Sequence, residues 1–215
     1  MNIYTDKISA LTHESSYAAD SGALRRGQIV VLSKNTVRPA QAQQTDAILG
    51  VCLENLESGH PTGAHVRVAD SPSTVYACDA PQITATSGST STVGATALAS
   101  FADDAFNGGV LKFIHPGASS TNSALPGDVF PITDYSGTDK TFTFEGTLSG
   151  AVAAGDTYQV FPPIGSSLGA LDTSRDAIVL TTATNNFVLR VVGWETQAGK
   201  LLLMANTHIF GSKNA

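Results

Sequence analysis

Gln28-Ile29-Val30-Val31-Leu32-Ser33, followed by Ala47-Ile48-Leu49-Gly50-Val51-Cys52-Leu53, is the stretch that decides the fold. Both runs are short, apolar and rich in β-branched side chains, which suits a buried pleated strand. Gly27 before the first run and Lys34-Asn35 behind it are turn signals. Gly50 inside the second points to a β-bulge or a close backbone approach. Ser58-Gly59-His60-Pro61-Thr62-Gly63 reads as a turn, and His65-Val66-Arg67-Val68 alternates as a half-exposed strand does. Thr74-Val75-Tyr76-Ala77-Cys78 is the next strand. Strands this short, joined by Gly, Pro and Asp turns, predict a small β-barrel or sandwich.

The same pattern continues downstream. Val110–His115, Asp128–Ile132, Lys140–Glu145 and Thr157–Phe161 read as strands, with Pro131 arguing for an edge or a bulge. Ile178–Leu180, Phe187–Val192, Lys200–Met204 and His208–Phe210 follow, with Thr196-Gln197-Ala198-Gly199 as a hairpin turn. One segment differs. From Val93 to Phe106, Leu98, Phe101, Ala102, Ala105 and Phe106 have helical spacing, with Thr92 as a cap and Gly108-Gly109 as a stop. A helix or a short irregular connection both fit.

The expected fold is therefore mainly β with little helix: a barrel or sandwich domain and an inserted or second β domain. Residues 1–26 are polar without sustained apolar period and read as an N-terminal arm, anchored by Tyr4, Ile8, Leu11 and Tyr17. The Ser/Thr-rich run 85–92 reads as a bridge between units. Ile48-Leu49-Gly50-Val51-Cys52-Leu53-Glu54 is echoed by Val191-Val192-Gly193-Trp194-Glu195. That echo groups 27–85 with 168–215 in one domain and leaves 86–167 as the insertion.

Charged residues make up only 14% of the 215, against roughly a quarter in ordinary soluble domains. The net charge is −6, and Arg25-Arg26 is the one adjacent basic pair. Gripping nucleic acid needs clustered cations, so no direct nucleic-acid partner is expected. No apolar run approaches the roughly 20 residues of a membrane span, and the N-terminus lacks a basic region followed by an apolar core. A soluble protein made in a cytoplasm is expected. Cys52 and Cys78 sit in apolar runs and read as buried free thiols.

Several patterns touch on chemistry. Gly165-Ser166-Ser167-Leu168-Gly169 matches a nucleophile-elbow spacing, with Asp172, Asp176 and His208 downstream. Pro162-Pro163 precedes it and no strong helix follows, so a Ser/Gly linker fits better. Gly193–Lys200 is one residue too long for a phosphate loop, and Leu201 stands where Ser or Thr would hold magnesium. His13, His60, His65, His115 and His208 show no ligand spacing, although His60 and His65 can meet across a hairpin turn. Asp103-Asp104 and Asp134/Asp139 lack the repeated pattern of a calcium loop and suit turns. Trp194, the sole tryptophan, suits a core or an interface. The expectation is no enzyme, no cofactor and no metal.

Three groups of residues carry a resemblance. They are Gly27–Val31 with Ala47–Cys52 and Val66-Arg67-Val68; Phe106–Leu111; and Pro126-Gly127-Asp128 with Ala154–Tyr158. The chain thereby resembles the decoration, or cement, proteins of tailed-bacteriophage heads, loosely over most of residues 27–165. The resemblance implies a structural virion protein on the capsid surface. It also implies binding to the major capsid protein, self-association as a homotrimer, and no catalytic residue. An arm ordered on binding lets a small protein wrap a wide seam, which gives Tyr4, Ile8, Leu11 and Tyr17 the role of capsid contacts. The alternatives are a glycan- or host-binding virion module, a tail or neck component, and a serine hydrolase using Ser167 and His208.

Overall fold

The computed structural model describes residues 14–40, 48–70, 75–98, 101–169 and 188–205, all as strands, bridges, turns and loops. No helix occurs among them. The strands are β1 (Glu14–Ala18), β2 (Ile29–Ser33), β3 (Thr36–Pro39), β4 (Ile48–Cys52), β5 (His65–Ala69), β6 (Tyr76–Asp79), β7 (Gln82–Thr84) and β8 (Ser87–Gly88). They continue with β9 (Thr92–Gly94), β10 (Val110–His115), β11 (Val129–Ser136), β12 (Thr141–Phe144), β13 (Thr157–Phe161), β14 (Ser167–Gly169), β15 (Val188–Glu195) and β16 (Lys200–Ala205). Every ladder is antiparallel.

The first sheet has the order β1-β5-β4-β2-β3. Just beyond β1, Ala19 makes a parallel bridge to Val37 of β3, so the sheet's two edges approach each other. The sheet is curled and remains open, since one bridge is not a ladder. Inside the curl lie Ala19, Leu24, Val30, Val37, Leu49, Cys52, Val66 and Val68. Ile29, Val31 and Val51 point the other way, into the larger core. Period-two alternation therefore buries β2 on both faces, which is why its sequence is a continuous apolar run.

The second sheet has the order β7-β13-β10-β11-β12-β9-β8. Its two ends are consecutive strands separated by Ala85 and Thr86, so this sheet also turns back on itself without closing. Val93, Leu111, Phe113, Ile132, Tyr135, Phe142, Phe144, Tyr158 and Val160 fill its concave side. The third sheet, β14-β15-β16-β6, adds Leu189, Val191, Leu201, Leu203 and Cys78 to the same core. One apolar cluster therefore takes side chains from all three sheets.

Six strands begin with the same construction. In Arg25–Gln28, Pro61–Ala64, Phe106–Gly109, Leu125–Asp128, Ala153–Asp156 and Pro163–Ser166, the fourth N–H donates to the first carbonyl. The third residue is a glycine with φ between 79° and 104°. Its N–H and the fourth residue's carbonyl both bond one residue of the neighbouring strand: Cys52, Ala19, Ile132, Phe113, Ala85 and Val191 respectively. Each is a type II-like turn running into a β-bulge that opens with a left-handed glycine. The bulge raises local twist, which is what curls short sheets.

The structure decides one open reading and corrects three expectations. Residues 93–98 and 101–106 form no helix, in keeping with the irregular connection. Val93 belongs to β9, and Phe106 packs edge-on against Phe101 and Tyr135 and at a tilt against Phe142, at 4.8–5.1 Å between ring centroids. The helical spacing came from apolar residues plugging a curled sheet. The run 85–92 is no free bridge, because it contains β8 and its hairpin to β9. The Ile48–Glu54 and Val191–Glu195 echo does not share a sheet. Gly50 lies at the bulge between β2 and β4, and Gly193 at the bulge between β15 and β16. The residues match because both strands need a bulge. Finally, residues 14–24 of the expected arm are built into the first sheet: β1 pairs with β5, and Leu24 bridges Leu56.

Candidate functional site

Gln28, Asp70, Asp156 and Gln159, buried among the described residues, serve the scaffold. Asp156 is fully buried and its carboxylate accepts from the Gly117 and Ala153 N–H groups and from Asn122 Nδ2, at 2.6–2.9 Å. It ties the loop after β10 to the turn before β13. Gln28 Oε1 accepts from Arg25 N–H inside its own turn. Asp70 accepts from Tyr17 Oη at 2.6 Å, which fixes β1 to the end of β5. Burial, together with the Asp70 carboxylate, pushes the Tyr17 hydroxyl up to about 12. Gln159 Nε2 donates to the Gly199 carbonyl, and Lys112 Nζ donates to the carbonyls of Thr196 and Gln197. Those contacts pin the β15–β16 hairpin tip onto the second sheet. The hairpin occupies the stretch that superficially matched a phosphate loop.

The expected arm contacts divide. Tyr17 lies in β1, half-buried, with its hydroxyl on Asp70. Tyr4, Ile8 and Leu11 lie outside the described residues. Ser167 opens β14, is exposed, and runs antiparallel to β15. A nucleophile elbow instead joins a strand to a helix across a sharp turn. Asp172, Asp176 and His208 lie outside the described residues, as does His13. His60 turns Nδ1 to the Pro61 carbonyl and Nε2 to the Gly22 carbonyl, and His65 Nδ1 meets Ser16 Oγ. Both rings are used locally, and no cluster of three metal-ligating side chains occurs among the described residues. Asp103, Asp104 and Asp139 hold turns through Gly137 N–H, Asn107 Nδ2 and Ser136 Oγ. Cys52 and Cys78 are buried free thiols, and burial pushes Cys78 up to about 12. Trp194 packs against the main core and donates from Nε1 to the Pro162 carbonyl.

One surface was not read from the sequence. On β11, Val129 pairs with Lys112 and Pro131 with Val110, so all four share the outer face of the second sheet. The β15–β16 hairpin covers that face at Lys112 and Gln159, but not at β11. There Val129 is 44% exposed, and Leu125, one turn earlier, is 67% exposed. Pro131 is exposed as well. Acids flank this apolar stripe. Asp128 Oδ2 accepts from Leu125 N–H, Glu145 N–H donates to the Pro131 carbonyl, and Asp134 is exposed further along β11.

The described residues thus define an all-β protein with three open antiparallel sheets among them, two of them curled. No protein-family model matches it, and no curated protein matches it.

Proposed function

We propose that this protein is a structural component of a virus particle: a decoration protein that seats on the outside of the head lattice of a tailed bacteriophage. The observation that carries the reading is where the polar chemistry goes. Gln28, Asp70, Asp156 and Gln159, the buried polar side chains of the described residues, all hold turns or sheets together. A surface poor in charge adds to this, because few ions must be desolvated when two protein surfaces meet. Short strands set by bulged turns give a rigid body suited to seating on a larger assembly. In this reading the major capsid protein is the partner, and Tyr4, Ile8 and Leu11 are contacts to it.

The test is cosedimentation with purified heads. The full chain is expected to pellet with expanded heads, and a chain lacking residues 1–13 to pellet less. Equal retention of the two removes the arm's role. Failure of the full chain to bind any head lattice removes the reading. An electron-microscopy map of the particle separates head from tail or neck, and glycan-array binding would favour the host-binding alternative.

A further inference from the structure

We propose that His60 is a pH-sensitive latch of the first sheet: its doubly protonated ring ties the turn before β5 to the turn after β1. The ring reaches two carbonyl oxygens, that of Pro61 from Nδ1 and that of Gly22 from Nε2, each at 3.0 Å. A carbonyl oxygen only accepts, whereas a neutral imidazole carries a single N–H. One of the two contacts therefore sets a ring lone pair against an oxygen lone pair until the ring takes a second proton. The Pro61 carbonyl also accepts from Ala64 N–H at 3.0 Å, and the Gly22 carbonyl has no other partner among the described residues.

The latch sits where the two edges of the first sheet approach each other. Ala19 N–H donates to the Ala64 carbonyl, Gly63 N–H to the Ala19 carbonyl, and Asp20 N–H to the Val37 carbonyl of β3. Leu24 bridges Leu56 just beyond. His60 thus fastens the chain leaving β1 to the bulged turn that receives it. The charged groups on the segments that meet here are Glu57 in the ring's own turn, Asp20, Arg25 and Arg26 after β1, Glu54 after β4, and His65 and Arg67 in β5. Asp20 Oδ1 accepts from Ser21 N–H, Glu54 pairs with Arg67, and none of these groups bonds the His60 ring. The two carbonyls therefore decide its proton. His65 makes the contrast: its Nδ1 meets Ser16 Oγ, a hydroxyl that can donate or accept, so that contact is complete with a neutral ring. In the unfolded chain the His60 ring meets water and has no such pair of acceptors. The fold therefore gains stability as pH falls through the range in which histidines charge, about pH 6.5, and loses that contribution as pH rises through it.

Two single variants of the full chain test it, His60→Ala and His65→Ala, with circular dichroism checking that each folds. Thermal midpoints are read at about pH 8 and at roughly pH 5.5, on either side of histidine charging. On acidification the wild type is expected to gain about 1–3 degrees more than His60→Ala does, and His65→Ala to follow the wild type. Amide exchange, corrected for the intrinsic effect of pH, locates the gain. At the lower pH, Ala19, Leu24 and Gly63 are expected to be at least about twofold better protected in the wild type than in His60→Ala, with Phe113 and Ile132 of the second sheet unchanged. The same pH dependence in the wild type and His60→Ala, an equal loss of it in His65→Ala, or a gain spread evenly over both sheets would overturn the proposal. The latch does not depend on head binding, so failure of either reading leaves the other standing.

Discussion

Asp128 and Asp156 occupy the same position in the same turn, yet they have different work to do. Each accepts from the N–H three residues earlier. Asp128 is exposed and makes that one bond, so Asp128→Ala is expected to cost about 0.5–1 kcal/mol. Asp156 is buried and carries two further donors from the loop after β10. Asp156→Ala strands buried N–H groups and is expected to cost roughly 3–5 kcal/mol in urea denaturation. Similar costs for the two would refute the bracing role of Asp156. Tyr17 supplies a pH test. Its hydroxyl titrates near 10 when unfolded and at about 12 when folded, so between those values the unfolded chain binds fewer protons. Stability contributed by this group is complete below about pH 10 and falls as pH rises towards 12. Tyr17→Phe is expected to flatten that alkaline decline, read as thermal midpoint against pH.

Among the elements, two glycines separate a steric need from a conformational one. A Cβ at Gly50 would lie 2.0 Å from the Ala69 carbonyl oxygen, a backbone atom held in β5. Gly50→Ala is expected to cost roughly 3 kcal/mol or more, because the two strands must separate. At Gly127 a Cβ meets nothing within 4 Å, so Gly127→Ala pays only for its φ of 104°, about 1–2 kcal/mol. Chemical denaturation ranks the pair, and the reverse order would sink the argument. Strands buried on both faces or cleanly alternating, such as β2, β5 and β12, were legible because burial writes itself into hydrophobic period. β1, Glu14-Ser15-Ser16-Tyr17-Ala18, was not. It is an edge strand whose pairing comes from backbone bonds and the Tyr17–Asp70 contact. The loop from Phe101 to Phe106 looked helical because spacing alone does not distinguish a helix face from aromatic residues gathered by a turn. The stripe on β11 was read as a strand, but its exposure depends on where the distant β15–β16 hairpin ends, which no local pattern encodes.

For the whole molecule, the boundary between arm and body can be placed physically. A cut after residue 20 removes β1, the Tyr17–Asp70 bond, and Ala19, whose bridge to Val37 draws the two edges of the first sheet together. That exposes the inside of a curl whose core is small: Leu24, Val30, Leu49, Val66 and Val68 would gain a path to water. A cut after residue 13 leaves every one of these contacts in place. The two truncations are therefore expected to behave differently. The shorter cut is expected to keep the wild-type thermal midpoint. The longer one is expected to lower it by several degrees and to raise amide exchange in β3 and β5, since both edges of the sheet lose a neighbour. Equal midpoints for the two truncations would mean that the first sheet does not depend on β1 for its closure. Head binding measured on the shorter truncation alone can then be read as a property of the arm, free of any change in the body that carries it.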